Sequence, residues 1–132
     1  MHVTQDDLRF LTLFRAAWLG GPDRAAAEAS LRAEPGRAAG RVAAWSLHRA
    51  AEALRRGARR RLMIGEGLAP SADERRLMLA ARQVARGDED AAETLRWLAR
   101  APFAGEAADR LTEIACVAYG YAAPRRAKAA SA

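Results

Sequence analysis

Two histidines and one cysteine are this chain's whole stock of side chains that exchange protons or attack electrophiles readily near neutral pH. His2 stands at the chain end, and His48 stands among arginines, a setting that does not suit a catalytic base. Cys116 falls on a helical stretch about 140° from Leu111, outside the apolar stripe and with no basic neighbour fixed by sequence to hold a thiolate. It reads as a small space-filling residue. A lone cysteine also excludes an intramolecular disulfide and a multi-cysteine zinc site.

The remaining motifs are equally poor in chemistry. Ile64-Gly65-Glu66-Gly67-Leu68 contains a GxG, but no strand precedes it and no third glycine follows, so it reads as a loop. Asp88-Glu89-Asp90 lacks the ligand spacing of a calcium loop, and acids at a helix start are explained by the macrodipole. There is no HExxH, Walker loop or CxxC. The expectation is a non-enzymatic protein with no catalytic residue, no metal site and no cofactor.

What the residues can do is recognise charge. The net charge of +6 is unevenly spread, and 21 of the 22 basic residues are arginine. Segment 1–36 carries four arginines against five acids, and 62–132 balances ten basic residues with ten acids. Segment 37–61 holds eight arginines against Glu52 alone. Within it, Leu47, Ala50, Ala51, Leu54 and Ala58 share an arc of about 100° on a helical wheel, the expected buried side. Arg41, His48, Arg49, Glu52, Arg55, Arg56 and Arg59 occupy the other side. Trp45 sits in the middle of that charged face, with Arg41 and Arg49 four residues to either side.

A tryptophan ringed by guanidiniums has two readings. A neighbouring helix or turn covers it, with the arginines shielding its edge; or it is a partner site, since Trp and Arg are the residues most enriched in binding hot spots. Trp97 points about 160° from Leu95, onto a polar side. Only Trp18 lies in an obvious core stripe.

The elements that must position these residues are all helical. Thr4 and Asp7 form a capping box that starts the first helix, and Phe10, Leu13, Phe14, Ala17 and Trp18 mark its apolar face. Gly20-Gly21-Pro22 ends it. A short alanine-rich helix runs from Asp23 to about Ala33, and Glu34-Pro35-Gly36 is a turn. The third helix covers about Arg37 to Arg60. The fourth starts at a capping box of Ser71 and Glu74, carries Leu77, Ala81, Val84 and Ala85, and stops at Gly87. Asp88 caps the fifth, which buries Ala91, Ala92, Leu95, Leu98 and Ala99 and closes at Pro102. The sixth covers about Gly105 to Gly120, with Ala108, Leu111, Ile114, Ala115 and Ala118 inward.

No strand pattern, repeat or linker is visible. The expected architecture is all-α: one compact bundle of five to six helices over 1–122, then a flexible basic tail over 123–132. Alanine makes up roughly a quarter of the chain, so the core has few large anchors. No apolar run approaches the roughly 18 residues of a membrane span, and no basic stretch leads into an apolar segment near the start. A cytoplasmic protein with no membrane partner is the simplest expectation.

Three functions fit. The first is an adaptor or regulator that binds an acidic protein surface through Trp45 and the arginines of the third helix, with Trp97 adding to the interface. The second is nucleic-acid binding through Arg55, Arg56, Arg59, Arg60 and Arg61. The third is a homo-oligomer or assembly subunit with Trp97 at the contact. The fourth and fifth helices do not make a DNA-reading helix-turn-helix, because Asp88, Glu89, Asp90 and Glu93 would repel phosphates where base contacts belong.

Overall fold

The computed structural model describes residues 2–32 and 37–120, with the side chains of 32 and 37–39 set aside. The expected turn at 34–36, the domain end at 122 and the basic tail at 123–132 lie outside the described residues. Among those described, seven helices follow one another: α1 (Gln5–Leu19), α2 (Gly21–Arg32), α3 (Arg37–Gly57), α4 (Ala72–Ala85), α5 (Ala91–Leu95), α6 (Ala101–Arg110) and α7 (Thr112–Tyr119). The fold is all-α. None of these helices is long and apolar enough to cross a membrane.

α3 is the central element, packed against α1, α2, α6 and α7. Its inward arc is the expected one, with Leu47, Ala50, Ala51 and Leu54 buried and Ala58 packed at the margin. The stripe of α4 is buried where its spacing placed it, and so is that of α1 except for Trp18, which is only half-buried. Gly57 ends α3 at a close approach to α6. A Cβ on it would lie 2.3 Å from Phe103 Cβ, so only glycine fits.

Two features move the helix bounds, and the second raises the count above five or six. After Gly57 the chain pairs with the segment before α6, Arg59 N donating to Leu98 O and Arg100 N to Gly57 O. This bridge between Ala58 and Ala99 stops α3 short of Arg60 and shortens the fifth helix to five residues. Pro102, expected to close that helix, opens α6 instead, where its missing N–H costs nothing. The second feature is Leu111, whose N–H is shared between Ala107 O and Ala108 O, and this tightening divides the last helix into α6 and α7. At α5, Asp88 is not the cap. Its carboxylate accepts from Asp90 N at 2.9 Å, and Asp90 takes the cap position without a side-chain bond. α2 starts at Gly21, two residues before the expected Asp23, with Pro22 in its first turn.

Both capping boxes form, and each does more than start a helix. Asp7 is fully buried. It accepts from Thr4 N, from Tyr119 Oη at 2.6 Å and from Arg82 of α4. Glu74 is likewise buried, and accepts from Ser71 N, Gly65 N and, at 2.6 and 2.7 Å, the guanidinium of Arg15 on α1. The start of α1 is thus clamped to the end of α4, and the start of α4 to the end of α1, so the two helices run antiparallel.

The reciprocity exposes a repeat that sequence inspection alone did not show. Thr4, Asp6, Asp7, Arg9, Arg15 and Gly20 correspond at constant spacing to Ser71, Asp73, Glu74, Arg76, Arg82 and Gly87. Both glycines adopt positive φ, 76° and 75°. Buried apolar pairs fall in the same frame, among them Phe10 with Leu77 and Leu11 with Met78. The match was hidden because the shared side chains are caps and clamps, while the apolar positions change size.

Burial pushes the Asp7 and Glu74 carboxyls up, yet their combined hydrogen bonds prevail and hold both below the usual carboxylate range. Asp73 is also held low, first by the bonds from Arg60, against the opposing effect of burial. Unfolded carboxyls take up protons near pH 4 and these folded ones only at lower pH, so their stabilisation is complete above that range. Thermal melts across pH should therefore show stability constant from neutrality to about pH 5 and falling below about pH 4. A melting temperature that rises with acidification would contradict the clamp. In Arg15→Ala, Glu74 keeps only backbone donors, and chemical denaturation at pH 7 should show a loss of about 2–3 kcal/mol.

Candidate partner-binding site

The charged face of α3 is a surface, and its indole is open. Trp45 is 53% exposed, and neither α2 nor another helix seals it. Two guanidiniums hold it from different helices: Arg49, one turn on along α3, lies 5.8 Å from the ring centroid, and Arg110 at the end of α6 lies 4.6 Å away. Val42, one turn before Trp45, is 45% exposed, and Arg41 beside it faces solvent. Among the described residues, no carboxylate forms an ion pair with Arg41, Arg49 or Arg110. Glu52, the sole acid of the segment 37–61, sits instead 3.4 Å from His48.

Arginine stacked on an aromatic ring keeps its in-plane N–H fork free for a carboxylate. Trp45, Val42, Arg41, Arg49 and Arg110 therefore form one patch with an apolar centre and unpaired positive charge around it. Arg110 and Val42 were not in the sequence-based set. The wheel could have supplied Val42, at three residues before Trp45; nothing in the sequence joins Arg110 to it, because that contact depends on how α6 crosses α3.

The other candidate arginines disperse. Arg55 lies 4.2 Å over the Trp18 ring and donates to Trp18 O at 2.6 Å. Arg56 leans over Phe103. Arg59, which the wheel placed on a helix that has already ended, donates to Arg96 O at 2.6 Å. Arg60 makes a two-pronged pair with buried Asp73 at 2.6 and 2.9 Å, and Arg61 pairs with exposed Glu66. Trp97 is 67% exposed, with Arg76 4.9 Å over its ring. It lies past the end of α5 and lines a separate cleft with Arg59, Glu93 and Arg96. Of the expected set, Arg41, Trp45 and Arg49 share the surface around the α3 indole, while Arg59 and Trp97 line the separate cleft and Arg55 and Arg60 stand together at the end of α3.

Chemistry-bearing side chains do not converge among the described residues. No group of three His, Cys, Asp or Glu side chains is placed to hold a metal ion. Cys116 is half-buried and packs against the core. The buried acids Asp7, Asp73 and Glu74 are each saturated by an arginine and backbone or hydroxyl donors. No protein-family model, curated protein or solved structure matches this chain.

The three tryptophans offer a direct check on this geometry. In variants that keep one indole and carry Phe at the other two positions, acrylamide should quench Trp45 and Trp97 more strongly than Trp18. Trp18 is flanked by Arg55 and stacked on Phe14 at 6.4 Å. Equal quenching of Trp45 and Trp18 would mean that the α3 face is covered in solution.

Proposed function

We propose that this protein acts by binding rather than by chemistry, as an adaptor or regulator whose Trp45 face takes an acidic surface of a partner protein. One observation carries the reading. A half-exposed indole is held by guanidiniums from two helices, and no carboxylate of the described chain neutralises them. Rings and arginines in such an arrangement suit a partner's carboxylates through paired, charge-assisted hydrogen bonds. Covering Trp45 and Val42 contributes on the order of 1–2 kcal/mol each, and a charged rim speeds encounter with an acidic surface.

Phosphate binding by the Arg55–Arg61 cluster draws less support. Arg60 is committed to Asp73, Arg59 to a backbone carbonyl and Arg56 to Phe103, so the cluster does not present one stripe of free charge. Homo-association through Trp97 has that side chain's exposure in its favour, though Glu93 and Arg96 beside it already pair with each other.

Capture from a native lysate on immobilised protein tests the proposal when wild type is compared with the doubly substituted Arg49→Glu, Arg110→Glu. Wild type should retain acidic proteins, less so at about 200 mM salt than at about 50 mM, and the variant should lose them while melting at the wild-type temperature. Retention that survives the charge reversal would overturn the reading. So would tight binding of random duplex DNA with a steep salt dependence.

A further inference from the structure

A cleft of about 530 Å³ opens where the end of α1, the end of α3 and the loop leading to α4 meet. Trp18, Leu19, Leu62 and Ile64 give it an apolar lining, and Arg55 and Arg61 stand at it. Leu62 and Ile64 are buried members of the core and form a fixed floor. Leu19 is 60% exposed, a leucine left in water at the wall of a concavity. Leu19 lies close over Gly65, where a Cβ would come within 3.3 Å of it, and Arg15 on α1 donates to Gly67 O of the same loop.

The two arginines are available in different ways. Arg55 spends one hydrogen bond on the Trp18 carbonyl, but no carboxylate among the described residues balances its charge. Arg61 pairs with Glu66 at 3.2 Å where both are exposed, a contact that exchanges partners readily. Arg60, also at the cleft, is held by Asp73.

We infer that this cleft takes an acidic peptide segment of a protein partner, seating an aliphatic or aromatic side chain over Leu62 and Ile64 and placing flanking carboxylates on Arg55 and Arg61. The inference rests on the reading that the partner is an acidic protein, and gives that partner a second anchor. Charge and shape select the occupant. A nucleobase would need an open aromatic face, yet Arg55 already covers the Trp18 ring. A phosphate backbone would leave the Leu19 wall in water. A carboxylate-flanked apolar residue satisfies the guanidiniums and the apolar lining together.

The probe is a fluorescein-labelled peptide with two glutamates on either side of a Leu-Phe pair, with a counterpart carrying lysines for the glutamates, read by anisotropy at about 50 mM salt. The glutamate peptide should bind and the lysine peptide should not. Leu19→Ser and Arg61→Glu should each weaken binding by about tenfold or more. Arg61→Glu lies on the surface and keeps the test valid if Leu19→Ser disturbs the loop. No binding to wild type would overturn the cleft assignment and leave the Trp45 face to be judged by lysate capture. Binding lost in Trp45→Ala but kept in the cleft variants would place the peptide on the α3 face and also overturn it. Duplex DNA that competes for the cleft, and is released by Leu19→Ser, would assign the cleft to nucleic acid instead.

Discussion

The reciprocal clamp between α1 and α4 sets the frame on which the rest of the molecule is built. Alanine-rich helices pack closely but hold one another weakly in register, because small side chains leave shallow ridges and grooves. Here Asp7 meets Arg82 at one end of the pair and Arg15 meets Glu74 at the other. Sliding one helix past the other by a turn, about 5.4 Å, would break both pairs and leave two buried carboxylates uncompensated. A buried ion pair adds little net stability over a well-packed apolar pair, so its contribution here is to exclude the wrong alignments. The same carboxylates cap their own helices, which couples the start of each helix to its packing.

The clamp also governs how charge is distributed on the surface. Asp7, Asp73 and Glu74 are drawn inside and matched by Arg82, Arg60 and Arg15. Those arginines no longer contribute free charge to the exterior. Arg41, Arg49, Arg110 and Arg55 are among the arginines left without a carboxylate among the described residues; two of them hold Trp45 and one covers Trp18. Formal charge along segment 37–61 therefore overstates its basic surface at the far end of α3 and understates it near Trp45, where α6 supplies an arginine from outside the segment.

Local rules made most of the fold legible. Both capping boxes, the end of α1 at Gly20, the stop at Gly87 and the inward faces of α1, α3 and α4 follow from residue type and spacing alone. Misreadings cluster where tertiary contacts override local preference. The end of α3 is decided by Phe103 meeting Gly57 and by the bridge to Leu98 and Arg100, residues some forty positions away. Pro102 is compatible with closing one helix or opening the next, and the bridge selects the second. The site was half legible for the same reason. A wheel put Trp45, Arg41 and Arg49 together because they share a helix; it put Arg59 with them by extending a helix that had ended.

Trp18 and Trp45 show how identical partners serve different ends. Each indole has an arginine over it, yet Arg55 also ties down the Trp18 carbonyl near the end of α1 and Trp18 rests on Phe14, so that contact closes a helix end. At Trp45, among the described residues, the guanidiniums bind no backbone acceptor and the ring has no aromatic neighbour, which leaves both with unspent interaction capacity. Along α3, Trp45 and Arg55 are separated by ten residues, about 15 Å of rigid helix, and lie about 80° apart around its axis. A ligand spanning both places must carry two acid-flanked apolar anchors at that spacing, the reach of about three helical turns or of some five extended residues. On the proposed reading, the stiffness of α3, fixed by its packing against four other helices, turns that spacing into a selection rule: a partner with a single acidic cluster would gain one anchor only.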